Sequence, residues 1–439
     1  MLNVQLSRIT CIISIILVLS SCSVQQKISK SGKQVINDSS LLNAHVGISI
    51  YDPATGKYWY NYQGDKYFVP ASNTKIPTCY AAMKYLGDSL VGFRWDLHDS
   101  TINIIPSGDP SFLHPDFSSA KAIHLIKEYK NVSLLANGYF ENRLGSGWTW
   151  NDYQETYMAE RSAFPMYGNV VKFYLQDGLV KTMPSTFEKM ISPSSSKNLK
   201  GMRVFRPMES NDFIITQGES KTVSTTFRTY ESSTFLPALQ AKLLTDTLHI
   251  SATVGMYSGD SPKGLKVFHS QPTDSLLKPM MHRSDNFFAE QSLLMVSNER
   301  LGVMNDEKII DTLLKTDFKD LPQSPRWVDG SGLSRYNLFT PQDFVAILNK
   351  MKNEFGMERI KVIFPTGGTG TISNYYKADT NFIFAKTGTL SGVVALSGFL
   401  YTKKGKLLIF STLVNNHQAS STAVRRSVEK FIQGIREKY

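Results

Sequence analysis

The C-terminal stretch places the tightest constraint on what this chain can fold into. Phe382–Thr389 (FIFAKTGT), Val393–Thr402 (VVALSGFLYT) and Lys406–Asn416 (KLLIFSTLVNN) are three runs of strand character. Lys403-Lys404-Gly405-Lys406 supplies turn chemistry between the last two, so they are expected to pair as antiparallel neighbours. Beyond them Val424, Val428, Phe431, Ile432 and Ile435 fall at i, i+4, i+7, i+8 and i+11, one apolar stripe of a helix. The other end of the chain offers a hairpin. His45–Asp52 (HVGISIYD) and Lys57–Gln63 (KYWYNYQ) are separated by Pro53-Ala54-Thr55-Gly56. An antiparallel sheet flanked by elements from both ends of the chain predicts an α+β body.

The 439 residues allow two or three domains. From Asp96 to Ser275 the chain is strand-rich and broken by loops such as PSGDPSF, GSGWTW and SPSSSK. We expect this region to be an insert with its own core, dividing a body made of residues 43–95 and 276–439. At the N-terminus Arg8 precedes the apolar run CIISIILVLSSC, which is too short for a permanent span. Leu19-Ser20-Ser21-Cys22 resembles the bacterial lipobox. Residues 1–21 are therefore expected to be a signal peptide, Cys22 the lipidated N-terminus and residues 22–42 a polar tether, with the body exported. The other cysteines are Cys11, inside the signal, and Cys79. No internal disulfide is possible in the mature chain, and Cys79 reads as a buried structural residue. The net charge of +11 is spread along the chain, without a basic block or aromatic stripe, which argues against nucleic acid as a partner.

Three short motifs carry the chemistry. Ser72 and Lys75 form S-x-x-K in Pro70–Ala82 (PASNTKIPTCYAA), where a helix is expected from Ser72 to Leu86. A hydroxyl needs a base to become a nucleophile, and residues at i and i+3 share a helix face. Apolar surroundings favour the neutral amine that a lysine base requires. Pro77 is awkward inside this helix and marks either a kink or its first turn. Ser284 and Asn286 form S-x-N at a loop-to-helix junction, and Lys386-Thr387-Gly388 form K-T-G on a strand. Each motif alone is common; their order and settings together match the serine β-lactamases and penicillin-binding proteins.

PASNTK, RSDNFFAE, DGSGLSRYNLFTP and AKTGTLSG, with SGDPSF and GWTWNDY in the insert, resemble the class C, type-4 low-molecular-mass penicillin-binding proteins (peptidase family S13). The likeness runs from Val46 to the C-terminus. It implies a β-lactamase/transpeptidase-like catalytic domain with a large insert. It also implies D-alanyl-D-alanine carboxypeptidase or endopeptidase activity on peptidoglycan stem peptides, and covalent inhibition by β-lactams. On this resemblance Ser72 attacks the carbonyl, Lys75 takes its proton, Ser284 relays a proton to the leaving amine and Asn286 holds a substrate amide. Lys386 and Thr387 bind a terminal carboxylate, Gly388 lets the substrate lie close, and the N–H groups of Ser72 and Thr389 form the oxyanion hole. Asp152 aligns with an aspartate that contacts the free amine of a diaminopimelate side chain, and Tyr157 would pack on the peptide. Phe112 replaces a leucine-like residue of the family, and the segment RSAFPMYGNVV also departs from its pattern.

The eight histidines form no close pair and no Cys/His cluster accompanies them, so neither a metal nor another cofactor is expected. Gly367–Thr371 (GGTGT) lacks the lysine and the βαβ setting of a phosphate loop. Asp329–Arg335 (DGSGLSR) reads as a structural corner. Two other functions use the same residues: a β-lactamase or esterase, and a catalytically silent muropeptide-binding lipoprotein. The insert and SGDPSF argue against the first, and the intact Ser72, Lys75, Ser284, Asn286 and Lys386 argue against the second.

Overall fold

The computed structural model describes residues 41–136, 142–194, 201–218, 221–229, 237–256 and 264–439, together with 28, 32, 38 and 39. The apolar N-terminal run, Cys22 and most of the expected tether lie outside the described residues. Two compact units divide the chain. The first comprises residues 1–76, 320–327 and 337–439, and the second comprises 77–319 and 328–336.

The first unit is built on a five-stranded sheet with the spatial order Ile383–Leu390, Val393–Tyr401, Leu407–Asn415, His45–Asp52 and Lys57–Tyr62. Every pairing is antiparallel, and the N-terminal hairpin joins the C-terminal strands through His45 opposite Asn415. Alternate residues point to one face. Val46, Ile48, Ile50, Leu396, Leu408, Phe410 and Val414 thereby form a core with Val424, Val428, Phe431, Ile432 and Ile435 of the helix Ser421–Lys438. The helical stripe read from the sequence is the buried one. A second helix, Pro341–Ile363, buries Phe344, Val345, Ile347, Leu348 and Met351. Thr340 caps it: its hydroxyl accepts the Asp343 N–H while Asp343 accepts the Thr340 N–H.

The second unit has a five-stranded mixed sheet ordered Ser251–Met256, Asn131–Ala136, Thr101–Pro106, Ser89–His98 and Lys266–Pro272. Helices Ala120–Lys127 and Ala238–Leu248 and two three-stranded sheets complete one apolar cluster, which runs in sequence from Phe93 to Leu248. The insert was expected to begin at Asp96. That residue lies within the strand Ser89–His98, whose Phe93 and Trp95 already belong to the insert's core. The helices Thr273–His282, Asn286–Leu301 and Asp306–Lys315, assigned from sequence to the body, fall in the second unit as well. The helix Asn286–Leu301 is buried along most of its length, and such a helix groups with whatever encloses it.

The expected helix from Ser72 to Leu86 is two elements. Ala71–Thr74 is a 3-10 turn and Lys75–Tyr85 is the α-helix. Pro77 therefore sits in the first α-helical turn, where backbone N–H groups have fewer intrahelical acceptors and the missing donor costs little. Cys79 is fully buried.

Candidate active site

The 3-10 turn decides the geometry of the serine and lysine. With three residues per turn, positions i and i+3 eclipse rather than merely share a face. Lys75 Nζ accordingly stands 3.1 Å from Ser72 Oγ. The Lys75 side chain is fully buried. Ala71, just before the serine, holds the left-handed φ of +48°. That strain in a residue with a Cβ persists only where its surroundings over-determine it. Those surroundings are visible: Thr74 Oγ1 donates to Ala71 O at 2.9 Å, and Asn73 Nδ2 donates to Ser397 Oγ at 2.7 Å. Ser397 in turn donates to Ser411 Oγ at 2.8 Å, so hydroxyls of two sheet strands tie down the turn.

The K-T-G strand runs beside this turn. A Cβ added to Gly388 would lie 2.6 Å from Pro70 O and 3.0 Å from Ser72 N, so only glycine lets the two backbones meet. Ser72 N is thus held against the strand that carries Thr389. Lys386 is buried, and its Nζ donates to Thr387 O at 2.7 Å. Burial, first, and then the charges of Lys75 and Arg425 hold the Lys386 ammonium well below the usual lysine range. Thr387 Oγ1 meets Thr371 Oγ1 at 2.7 Å, and Arg425 donates to Thr389 Oγ1. Thr371 closes the GGTGT segment, so that segment borders the site through a hydroxyl. Arg425 escaped the sequence reading because an arginine on a terminal amphipathic helix looks like a solvated face.

Ser284 and Asn286 belong to the second unit. Ser284, itself a predicted catalytic residue, has φ +61°, in the left-handed region like Ala71. Asp285 caps the following helix by accepting the Phe288 N–H at 3.0 Å, which leaves Asn286 as its first residue. Asn286 Nδ2 donates to Tyr157 O at 2.9 Å. Burial and the hydrogen bond to Asp152 push the Tyr157 hydroxyl up to about 12. The unit therefore brings Asn286, Tyr157 and Asp152 together. Tyr157 is 45% exposed.

Behind Asn286 the same helix carries Glu290, fully buried. Ser331 N donates to it at 2.7 Å, and Arg161 Nε lies 3.8 Å away. Burial, first, and then neighbouring Asp329 push the Glu290 carboxyl up to about 7. Asp329 accepts from Gly332 N, Ser334 N and Trp148 Nε1, at 2.8, 2.7 and 2.9 Å. The segment DGSGLSR is the corner expected of it, organised by one aspartate, and GWTWNDY is anchored to it through Trp148.

A serine hydroxyl within hydrogen-bond reach of a buried lysine, set against a K-T-G strand on an antiparallel sheet, is the arrangement of a serine hydrolase of the β-lactamase-like fold. The model of the D-Ala-D-Ala carboxypeptidase 3 (S13) family matches residues 28–438, and the chain belongs to that family. It is 24% identical to a D-alanyl-D-alanine carboxypeptidase of an Actinomadura species, over 87% of this chain and 80% of that protein. It is 28% identical to D-alanyl-D-alanine carboxypeptidase DacB of Haemophilus influenzae over 39% of this chain and 37% of that one. Its fold matches the crystal structure of penicillin binding protein 4 (dacB) from Haemophilus influenzae with a TM-score of 0.70. That likeness is 20% identical and covers 93% of this chain and 98% of the other. The chain is a serine-type D-Ala-D-Ala carboxypeptidase by family, a cell-wall activity exercised outside the cytoplasm.

Proposed function

We propose that the chain hydrolyses D-alanyl-D-alanine termini, and the D-alanyl-diaminopimelyl cross-links derived from them, through an acyl-enzyme on Ser72. One observation carries the reading: Lys75 Nζ lies 3.1 Å from Ser72 Oγ, and Lys75 is buried close enough to Lys386 to act on its charge. Desolvation and a second cation are the two conditions that favour a neutral amine, the form a base needs. Lys75 takes the Ser72 proton as Oγ bonds to the penultimate carbonyl carbon. The oxyanion that forms accepts from the N–H groups of Ser72 and Thr389. Collapse breaks the C–N bond, a proton passes through Ser284 to the leaving amine, and D-alanine departs. Water then attacks the ester and frees Ser72. Before the reaction, the substrate's terminal carboxylate is held by Lys386 and Thr387.

Asp152, Tyr157 and Asn286 select the peptide on the acyl side, Asp152 by pairing with a free side-chain ammonium. In this reading the stretches that flank the insert, 43–95 and 276–439 as drawn from the sequence, form the catalytic domain, and the insert, whose core already takes in Phe93 and Trp95, lends it specificity. Cys22 carries a lipid that holds the body at the membrane, reached through the tether of residues 22–42.

Purified stem peptides, monomeric and cross-linked, incubated with the enzyme and analysed by mass should lose a terminal alanine or be split. A fluorescent penicillin should label the wild type covalently. The Ser72→Ala protein should do neither, and persistent labelling of that variant would remove Ser72 from its role. Fast release of the label would instead indicate a β-lactamase, and no label with either protein a silent receptor. Radiolabelled palmitate should be incorporated by the full chain and not by Cys22→Ala.

A further inference from the structure

Within the second unit a cavity of about 210 Å³ opens between the SGDPSF loop, the strand Lys266–Pro272 and the start of the helix Ala120–Lys127. Asp109 lines it and is almost wholly buried. Its carboxylate accepts from Ser111 N at 2.9 Å, Ser111 Oγ at 3.0 Å and Ser270 Oγ. Among the described residues it forms no ion pair, and burial pushes its pKa up despite those three donors. A buried carboxylate without a countercharge is expensive to keep. A positive ligand in the cavity would compensate it.

The rest of the lining fits a particular kind of positive ligand. Phe93 stacks on Phe268 at 4.8 Å between centroids, and Phe112 on Phe164 at 5.4 Å, which makes much of the wall apolar. Lys121, exposed and without an ion-pair partner among the described residues, also lines the cavity, in the first turn of its helix. An ammonium on the side chain and a helix N-terminus both favour a carboxylate there. A water takes about 30 Å³ of liquid, so the volume suits a molecule of several heavy atoms.

We propose that this cavity binds a small zwitterionic α-amino acid with a short apolar side chain. Its ammonium meets Asp109, its carboxylate meets Lys121 and its side chain lies among the phenylalanines. None of the residues lining the cavity is a candidate catalytic residue, and its occupancy does not depend on acyl transfer. D-alanine, the product of the proposed reaction, belongs to the ligand class, as do glycine and valine.

Isothermal titration of the full chain with valine and with D-alanine tests this. Valinamide, which lacks the carboxylate, and isovalerate, which lacks the ammonium, serve as controls. One molecule of valine should bind per chain, with both controls at least tenfold weaker. Asp109→Asn should abolish valine binding. Lys121→Glu, an exposed change that leaves the core intact, should weaken valine at least tenfold and leave valinamide unchanged. The proposal is overturned if the wild type binds no amino acid. It is equally overturned if Asp109→Asn, shown folded by circular dichroism, binds valine as the wild type does, or if Lys121→Glu does. Should Asp109→Asn not fold, the Lys121→Glu result decides alone.

Discussion

Replacing Gly388 by alanine tests the catalytic geometry more sharply than replacing a catalytic residue, because no reacting group is removed. The new Cβ would lie 2.6 Å from Pro70 O, 3.0 Å from Ser72 N and 3.1 Å from Ala395 Cβ. Two of these neighbours are backbone atoms, and neither can rotate away. Bringing the first contact out to 3.4 Å, where ordinary van der Waals contact begins, takes a displacement of 0.8 Å. The strand is hydrogen-bonded to Val393–Tyr401 and cannot yield freely, so the serine turn moves as well. Overpacking of this kind costs about 1–3 kcal/mol of stability. A misplacement of roughly 1 Å at reacting groups costs on the order of a hundredfold in rate. Acylation of Gly388→Ala by a fluorescent penicillin, followed in time at several concentrations, should therefore be slower by about ten- to a hundredfold. The melting temperature should fall by several degrees, as about 1 kcal/mol moves a domain of this size by roughly 2–4 °C. Acylation within twofold of wild type at an unchanged melting temperature would refute the reasoning, for it would mean that the strand does not abut the Ser72 turn.

Three further outcomes are expected. Arg425→Ala removes the donor to Thr389 and one of the cations acting on Lys386, so KM for a carboxylate-terminated peptide should rise several-fold more than kcat falls; equal effects on both would count against a binding role. Asn73→Ala breaks the link to Ser397 and should lower stability by about 1–3 kcal/mol, read from urea unfolding. The Glu290 carboxyl, up at about 7 against 4.5 when free, keeps its proton in the folded chain and loses it in the unfolded one over that interval. Its contribution is full below about pH 4.5 and is lost as pH rises through about 7, by about 3 kcal/mol. Unfolding free energies between pH 5 and 8 should show that fall, and Glu290→Gln should flatten it. A residual slope is expected from Asp343, whose carboxyl burial pushes up to about 6. An unchanged slope in the variant would place the titration elsewhere.

Much of the candidate catalytic apparatus is legible in the chain because its parts are local. S-x-x-K, S-x-N and K-T-G are each set by spacing along one element, and the apolar stripe of the last helix follows from its period. The flanking strands are equally local, since alternation of residue type marks them wherever they fold. The family followed from the joint occurrence of those motifs, and the match over residues 28–438 agrees.

Legible in the chain alone, then, are the order of the elements and the groups proposed to do the chemistry. Which of these groups meet is set by the fold. The 3-10 turn that eclipses Ser72 and Lys75, and makes Pro77 a first-turn residue, depends on anchoring to Ser397 and Ser411, more than three hundred positions away. The place of Arg425 beside Thr389, of Thr371 beside Thr387, and of Phe93 within the insert's core are likewise contacts between distant segments. No local pattern encodes such contacts. They arise when long-range burial of apolar faces fixes the register of elements that local propensity has only outlined.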